Sequence, residues 1–490
     1  MGGQPNYYQI LGVSRTATQE EIRRAYLRGV QRLHPDKNVN PGETELFLEV
    51  QQVYEVLGDP QRRAKYDATL PAEPEPHPSP VQVSIEYSRA AVQRLSEPQV
   101  LYALLDFSAA GQLADSPAPP LNLCLVLDVS TSMQGPKLEI VKETAVQLLR
   151  RIRAQDIFSL VSFSDRSTVH IPASRGADAR RAEGTIRMLQ TSGGTEIFQG
   201  LEAGVGETRR FLNPSHINHL ILLTDGQTYG DEQNCLELAE EVSARGISLS
   251  GLGIGSDWND IFLDALAGRA GGSCMYVSDP QDIPRILIGK FDQLGETLAS
   301  ETTLQYELAE GVTLSYAFRL QPDPAPLGLE SPLGAGPLRR HTPLQILLEI
   351  RLPTLEKAAQ DIAFLEGQFS ASLLADPQEA SAIPIRIGRP VRPEADPAPP
   401  PARLVQALSR VTLYRMQERA RLEVRDGDLD AAAQRLKRLA THLLSQGEKG
   451  LAHTVLLEVE HIEQQKSFSE SGEKDIKFGT RALILPEKPA

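Results

Sequence analysis

The sequence predicts a multidomain chain: an all-helical N-terminal block, a doubly wound α/β domain inserted in a β-sandwich, and a C-terminal helical bundle. Three observations support this prediction. At 490 residues the chain is too long for one hydrophobic core. Proline-rich stretches at 71–80, 116–120, 322–337 and 390–401 divide it into blocks. The spacing of apolar residues also changes between blocks, from helical spacing to alternating strands and helices and back to helical spacing.

The domain boundaries are placed where composition and spacing change. The predicted segments are a helical block at 5–68, a linker at 69–80, flanking strands at 81–118, the α/β domain at 119–296, the remainder of the sandwich at 297–390, a proline-rich linker at 391–401, the helical bundle at 402–466 and a tail at 467–490. We therefore expect the separate domains to carry separate functions.

Composition narrows the class of protein. Hydrophobic residues make up 41% and charged residues 23%, as in ordinary soluble domains. The formal net charge of −14 argues against nucleic acid or an anionic membrane as a general partner. The three cysteines, Cys124, Cys235 and Cys274, have no zinc or redox spacing and are interpreted as buried thiols in a reducing compartment. With no signal peptide pattern and no membrane-spanning run, we expect a cytoplasmic protein.

The first block contains two amphipathic helices around a polar loop. Thr18 can begin a helix that runs to Leu33, with Glu21 in the capping-box position. A second helix at 43–57 carries an apolar stripe that can pack against the first, and a short turn follows at 61–66. The loop between the helices contains His34-Pro35-Asp36. That tripeptide alone also forms an ordinary turn, so its meaning depends on its surroundings.

Those surroundings resemble the DnaJ-type J domain from Pro5 to Asp67. The matching segments are Tyr7-Tyr8-Gln9-Ile10-Leu11-Gly12-Val13, Glu21-Ile22-Arg23-Arg24-Ala25-Tyr26, His34-Pro35-Asp36-Lys37-Asn38 and Ala64-Lys65-Tyr66-Asp67. The resemblance implies that a DnaK-type chaperone is the partner. It further implies that His34, Pro35 and Asp36 trigger ATP hydrolysis by that chaperone, and that Arg24, Arg28 and Arg32 dock on it. Leu27 and Gln31 replace basic residues that are frequent in the family, which implies weaker or more selective docking.

The central block alternates strands and helices, which is typical of a parallel sheet covered on both faces. Strands are predicted at 121–127, 157–163, 219–224, 247–254 and 274–277, and helices at 137–153, 196–211, 233–244, 259–267 and 282–294. On either side, 81–107 and 300–387 alternate apolar and polar residues and are expected to form one antiparallel sandwich. Three helices are predicted at 404–424, 429–445 and 451–464.

Oxygen-bearing side chains follow the strands of this block. Asp128, Ser130 and Ser132 come directly after the strand at 121–127, and Thr195 and Asp225 lie in two later loops. Because the carboxyl ends of parallel strands share one edge of a sheet, we expect these five residues to converge. Carboxylates and hydroxyls are hard donors that suit Mg²⁺, although Mn²⁺ and Ca²⁺ accept similar sets. A helix N-cap is the alternative explanation for Asp-x-Ser-x-Ser by itself.

The five residues resemble the metal-ion-dependent adhesion site of von Willebrand factor A (VWA) domains, and the likeness runs from Leu121 to Leu294. It implies that Asp128, Ser130, Ser132, Thr195 and Asp225 hold a divalent ion that leaves a position open for a carboxylate of a protein partner. Intracellular A-domain proteins of bacteria are similar beyond the sheet, including a C-terminal stretch like Lys474 to Leu483.

Three functions remain open from the sequence. The chain is a co-chaperone and adaptor that recruits a protein through its metal-dependent VWA domain and delivers it to a DnaK-type chaperone, which is the preferred hypothesis. Alternatively, it is a VWA assembly or signalling scaffold, working with a AAA-type ATPase, whose J domain is vestigial. A metal-dependent hydrolase is the third, disfavoured because the sequence has no Walker sequence and no Gly-x-Ser-x-Gly elbow. The Gly251-x-Gly253-x-Gly255 repeat is interpreted as a loop at the sheet edge without a βαβ context. We therefore expect no enzyme activity.

Overall fold

The computed structural model describes residues 7–11, 17–33, 50–67, 80–113, 116–176, 179–228, 230–355, 359–376, 380–394 and 398–485. The chain forms two compact units, Met1–Pro78 and Ser79–Ala490. Each unit is described by itself.

The first unit is helical, as predicted. Its helices are α1 (Tyr7–Leu11), α2 (Gln19–Leu33), the described part of α3 (residues 50–57) and α4 (Pro60–Asp67). Tyr8, Ile22, Val53 and Leu57 form its buried core, so apolar residues at helical spacing on α2 and α3 meet in one cluster.

Helix α4 is longer than the short turn predicted for 61–66. It begins after Asp59, whose Oδ1 accepts hydrogen bonds from the backbone N–H groups of Gln61 at 2.8 Å and Arg62 at 3.0 Å. These bonds satisfy donors that the first turn of a helix leaves free. The Tyr66 hydroxyl on α4 accepts a bond of 3.0 Å from the backbone N–H of Tyr7, which links the two ends of the block.

In the second unit, a six-stranded sheet forms the centre of the α/β domain. The strands are β4 (Leu121–Asp128), β5 (Ile157–Phe163), β6 (Ser167–Arg175), β7 (Ile217–Thr224), β8 (Ile247–Ile254) and β9 (Cys274–Val277). Their order is β6-β5-β4-β7-β8-β9, with β6 antiparallel at one edge and the other five parallel. The doubly wound fold is confirmed, and β6 is an edge strand that the sequence interpretation missed.

Helices cover both faces of this sheet. They are α5 (Pro136–Leu149), α6 (Ala179–Arg187), α7 (Ile197–Arg209), α8 (Glu232–Ser243), α9 (Asp260–Arg269) and α10 (Ile283–Leu294). Every residue of β4 is buried, and alternate residues belong to different cores. Leu123 and Leu125 pack with α5, α6 and α10, whereas Cys124 and Val126 pack with α7, α8 and α9. Helix α6 was not predicted, and α5 ends at Leu149 rather than at Arg153.

Two further sheets form the β-sandwich around the insertion. One has the order β1-β3-β16-β12-β13, the other β14-β11-β17-β18-β2, and β10 pairs with β15. The bounds are β1 (Val81–Tyr87), β2 (Val92–Gln93), β3 (Gln99–Ala109), β10 (Thr297–Ala299), β11 (Thr302–Leu308), β12 (Thr313–Gln321), β13 (Ala325–Pro326), β14 (Leu333–Gly334), β15 (Leu338–Arg339), β16 (Leu344–Leu352), β17 (Ala359–Ser372) and β18 (Ala380–Arg392). Strands from before and after the α/β domain pair directly, for example Phe107 with Leu344, so the predicted split sandwich is confirmed.

The C-terminal region contains four helices. They are α11 (Ala402–Arg425), α12 (Leu429–Ser445), α13 (Lys449–Gln465) and α14 (Gly472–Ala482). Three were predicted, whereas α14 lies in the segment interpreted as a tail. Helix α11 also packs on the sandwich, where Leu404 and Val411 meet Phe318 and Leu347. The bundle is therefore joined to the sandwich by an apolar core.

Two expectations from composition can be compared with the described residues. Cys124, Cys235 and Cys274 are all buried and unbonded to one another, as expected. Among the helices of the described ranges, none is long and apolar enough to cross a membrane.

Candidate functional site

The five predicted metal ligands lie at one edge of the α/β sheet. Asp128 ends β4, Asp225 follows β7, and Ser130 and Ser132 lie in the loop between β4 and α5. Asp128, Asp225 and Ser130 are buried, at 0%, 1% and 2% exposure, whereas Ser132 is exposed. Oxygen atoms at the bottom of the site are thus shielded from water, and one hydroxyl lies at its mouth.

Hydrogen bonds join four of the five residues. Asp128 accepts a bond of 2.8 Å from the backbone N–H of Ser130. The hydroxyls of Ser130 and Ser132 are 3.0 Å apart, and Ser132 donates to Asp225 Oδ1 at 2.6 Å. The two carboxylates and the two serine hydroxyls therefore form one hydrogen-bonded group at the ends of β4 and β7.

Thr195 joins the group from the loop between α6 and α7. Two backbone bonds fix that loop to the end of β4, from Ser192 N–H to Val129 O at 2.7 Å and from Thr131 N–H to Gly193 O at 3.3 Å. The Thr195 hydroxyl lies against Gly226, at 3.1 Å from the position that a Cβ would take there. The structure thus brings all five predicted residues to the same edge.

Gly193 has a conformational reason for being glycine in this loop. Its φ is +68°, and a Cβ at this position would overlap the Asp165 carboxylate. Asp165 Oδ1 accepts a bond of 2.6 Å from Gly194 N–H. Asp165 therefore positions the loop that carries Thr195.

Two residues of the site were missed from the sequence. Thr224 donates to Asp128 Oδ2 at 2.7 Å and so orients that carboxylate. Lys137, in the first turn of α5, places its Nζ 2.6 Å from Asp225 Oδ2. The sequence did contain an indication of the role of Lys137. A cation in the first turn of a helix is destabilised by the helix dipole, so it is expected to have a partner of opposite charge.

The charges of the site do not balance within the described residues. Lys137 pairs with Asp225, but none of the described ion pairs reaches Asp128. Burial raises the pKa of Asp128, the hydrogen bonds from Ser130 and Thr224 lower it, and the charge of Asp225 raises it. One buried carboxylate is left without a cation, which is the environment that a bound metal ion would complete.

The chemistry of the donors fits a hard divalent ion. No group of three or more His, Cys, Asp and Glu side chains in the described ranges is arranged to hold a metal. A metal at this edge would therefore depend on hydroxyl oxygens together with two carboxylates, a set that suits Mg²⁺ better than zinc.

The interpretation of the glycine repeat was wrong in two respects. Gly251 and Gly253 lie within β8, not in a loop, and β8, α9 and parallel β9 form a βαβ unit. A Cβ on Gly251 would meet Leu263 at 2.6 Å, and one on Gly253 would overlap the Trp258 ring. These two glycines therefore allow α9 and the loop before it to pack closely on β8, and the space beside both glycines is filled by protein side chains.

The chaperone-docking residues of the first unit are only partly described. His34, Pro35 and Asp36 lie outside the described residues. Arg24 is exposed on α2 and pairs with Glu20 at 3.3 Å across the helix surface. Arg28 and Arg32 fall on the same helix, and their side chains lie outside the described part of the structure.

Comparison with known families identifies three segments. The DnaJ domain matches residues 6–67, the von Willebrand factor type A domain matches residues 122–287, and the Sll0103-like C-terminal alpha-helical domain matches residues 402–486. The chain therefore contains a J domain and a VWA domain on one polypeptide.

Individual proteins support the same division. An uncharacterized protein, sll0103 of Synechocystis sp., is 26% identical over 382 residues, covering 75% of this chain and 89% of that protein. The chaperone protein DnaJ of Dictyoglomus thermophilum is 56% identical over 62 residues, covering 13% of this chain and 16% of DnaJ. This chain thus spans about a sixth of the DnaJ relative, limited to one domain.

Structural similarity extends over most of the second unit. A von Willebrand factor type A protein from Catenulispora acidiphila superposes with a TM-score of 0.65 at 15% identity, covering 84% of this chain and 99% of that one. At this identity the likeness supports the fold alone. The multidomain layout is therefore shared beyond the VWA domain itself.

Proposed function

We propose that this protein is a non-enzymatic co-chaperone and adaptor, which stimulates a DnaK-type chaperone through its J domain and recruits protein partners through a Mg²⁺-dependent VWA domain. One observation carries the proposal: a J domain matched over 6–67, whose sequence contains His34-Pro35-Asp36, shares a chain with a VWA domain that gathers two carboxylates and three hydroxyls at one edge of its sheet. The J domain would act on the ATPase of a chaperone, and the VWA domain has the chemistry to bind a partner.

The recruitment step depends on the metal. Asp128, Ser130, Ser132, Thr195 and Asp225 would hold Mg²⁺, with Mn²⁺ or Ca²⁺ as possible substitutes. When bound, the ion would supply positive charge and an open position for a carboxylate of the partner. Lys137 and Thr224 orient the two aspartates, and Asp165 positions the Thr195 loop.

Several features favour binding over catalysis. The described hydrogen bonds of the site join aspartates, hydroxyls, a lysine and backbone groups, and include no histidine. In this proposal both carboxylates are ligands of the metal ion, so neither is assigned as a general base. We propose a cytoplasmic location, where buried free cysteines remain reduced and a DnaK-type chaperone is present.

A second candidate function is an assembly or signalling scaffold working with a AAA-type ATPase, in which the J domain is vestigial. It is favoured by the compactness of the Ser79–Ala490 unit, whose hydrophobic cores are made from its own residues. The two functions differ in whether the J domain acts on a chaperone.

Single-turnover ATP hydrolysis by a DnaK-type chaperone of the same host separates them. We expect the wild-type protein to accelerate hydrolysis, His34→Gln to abolish the acceleration, and Asp128→Ala to retain it as the matched control in the other module. If the wild-type protein leaves the rate unchanged, the co-chaperone function is wrong and the scaffold function takes its place. Equal loss in both variants would contradict the division into modules.

A further inference from the structure

A cluster of buried cations lies where helix α10 of the VWA domain meets the sandwich. Lys290, Arg319 and Arg339 are 3%, 4% and 3% exposed. Lys290 Nζ and Arg339 Nη2 lie 3.2 and 2.8 Å from the same oxygen, Asp323 Oδ2. Arg319 uses Nε to bond the backbone carbonyl of Asp323 at 2.7 Å, with weaker bonds to two other carbonyls.

These charges are not neutralised within the described residues. The ion pairs that the structure shows for Lys290 and Arg339 involve one carboxylate, that of Asp323, and the bonds shown for Arg319 go to backbone carbonyls. Three cations and one anion leave an excess of two positive charges in an interior position. Because an uncompensated charge removed from water is costly, such a cluster calls for a further anion.

A small cavity opens beside the cluster. It has a volume of about 20 Å³ and is lined by side chains that include His219, Lys290, Ser300, Asp323 and Arg339. A cavity needs on the order of 10–15 Å³ to hold one water molecule, so this cavity has room for a single water molecule or monatomic ion. Phosphate or sulfate would not fit without displacement of its walls.

Three of the polar atoms in the lining residues have no hydrogen-bond partner among the described residues: His219 Nδ1, Ser300 Oγ and Arg339 Nε. His219 and Arg339 are at least 97% buried. Arg339 Nε–H can only donate, and the Ser300 hydroxyl can donate as well. His219 Nε2 lies 3.0 Å from the Ser250 hydroxyl, so a neutral imidazole that accepts there carries its proton on Nδ1. Residues with unused donors thus line a positively charged cavity.

We propose that this cavity binds a single monatomic anion, of which chloride is the physiological one, and that the anion fastens the VWA domain to the sandwich. A water molecule would satisfy some of the donors but would leave the excess positive charge in place. A cation is excluded by Lys290 and Arg339. The proposed anion site is separate from the candidate metal site at the edge of the α/β sheet, and it does not depend on the proposed co-chaperone function.

Diffraction from crystals of the full chain grown with bromide in place of chloride tests the site directly. We expect an anomalous peak at the bromine edge inside the cavity, within contact distance of Lys290 and Arg339. A cavity without an anomalous peak, or with density that only a water explains, would overturn the proposal.

Thermal unfolding provides a second test in solution. At constant ionic strength, replacing gluconate by chloride is expected to raise the Tm, by about 2 °C for each tenfold increase in chloride above its Kd. Ser300→Ala, which removes one donor without changing charge, should reduce this chloride-dependent shift. Arg285→Gln is the control, because Arg285 lies on the same helix with its side chain 73% exposed, and should leave the shift unchanged. An identical chloride response in Ser300→Ala and wild type would contradict the assignment.

Discussion

Lys137 already places a positive charge beside Asp225, and this contact determines how the site should respond to metal. Its ammonium lies 2.6 Å from Asp225 Oδ2, while Ser132 donates to the other oxygen of the same carboxylate. Asp225 has a fully buried side chain, whereas that of Lys137 is 29% exposed. The lysine therefore stabilises the carboxylate, and it would repel a divalent ion that approached the same group.

Replacing Lys137 by methionine should separate these two effects. Without the ammonium, we expect Mg²⁺ to bind at least tenfold more tightly, because two like unit charges about 4 Å apart repel by about 4 kcal/mol at an effective dielectric near 20, and the partial exposure of Lys137 weakens that repulsion. In EDTA the same variant should have a lower Tm than the wild type, since a buried carboxylate has lost its partner. Isothermal titration calorimetry with Mg²⁺ and thermal unfolding measure the two quantities.

The controls lie at the same sheet edge. Asp128→Ala should abolish Mg²⁺ binding, and Asp257→Ala, which removes an exposed carboxylate after β8, should leave it unchanged. Weaker Mg²⁺ binding in Lys137→Met than in the wild type would show that the lysine assists the metal rather than competing with it.

How well the site could be predicted depends on the type of residue. Asp128 and Asp225 follow apolar strands directly, and parallel topology brings strand ends together, so their convergence followed from the sequence. Thr224 was missed because it is the last residue of a buried strand, and its hydroxyl gives no pattern of its own. The pairing of Lys137 with Asp225 spans 88 positions, a separation that no local pattern encodes.

At the scale of elements, helix α14 shows how charged residues can form a buried surface. Lys474, Lys477 and Arg481 are 8%, 3% and 6% exposed. Lys477 and Arg481 both reach the Asp264 carboxylate on α9, with shortest distances of 2.9 and 2.6 Å. The face of α14 that docks on the VWA domain is therefore basic, and its partner surface is acidic.

This charge pattern explains why α14 was interpreted as a tail. A search for apolar residues at helical spacing treats lysine and arginine as exposed. The acidic partners lie more than 200 positions earlier in the chain, so the pairing becomes visible only in the folded structure. Strand β6 and helix α6 were missed for a related reason: β6 is an edge strand interrupted by Pro172, and α6 buries only Ala182 and Ile186.

Asp264→Asn is expected to loosen α14. Attraction to Arg481 and Lys477 outweighs the effect of burial and holds the pKa of Asp264 well below its usual range. The lowered pKa means that the ionised carboxylate stabilises the fold above about pH 4, and that this contribution is lost as the pH falls toward the lowered value. We expect a loss of about 2 kcal/mol at pH 7, less than for a fully buried pair because the Asp264 side chain is 23% exposed.

The single tryptophan of the chain reports on this contact. Trp258 packs against Phe478 of α14, with ring centroids 5.9 Å apart, and Lys474 lies over its ring. In urea, the emission of Asp264→Asn should shift to longer wavelength at a lower concentration than that of the wild type. Glu202→Gln, which removes an exposed carboxylate from α7, is the control. Coincident transitions in Asp264→Asn and wild type at pH 7 would mean that the ion pair contributes nothing to the docking of α14.

At the scale of the whole molecule, the chain joins a small helical unit to a large unit with several cores. The core of the first unit is made by Tyr8, Ile22, Val53 and Leu57, all from its own helices. In the second unit, the VWA domain, sandwich and bundle share buried surfaces, through α11 on the sandwich and α14 on α9. Sequence patterns predicted both layouts because each depends on local apolar spacing. They did not predict the charged contacts that join the VWA domain to its neighbours.

This organisation predicts two separate unfolding transitions in differential scanning calorimetry. The J domain should contribute a small transition with an enthalpy of about 40 kcal/mol, from the usual enthalpy per residue near 60 °C. Deleting residues 1–78 should remove that transition while leaving the Tm of the larger unit and its Mg²⁺ affinity unchanged, because its cores and its candidate metal site contain no residue of the first unit. A single transition for the full chain, or a lower Tm of the larger unit after the deletion, would show that the two units stabilise each other. The J domain would then be coupled to the VWA domain thermodynamically as well as by the linker. The proposed binding of Mg²⁺ at Asp128 and Asp225 would in that case be expected to change the proposed stimulation of a DnaK-type chaperone.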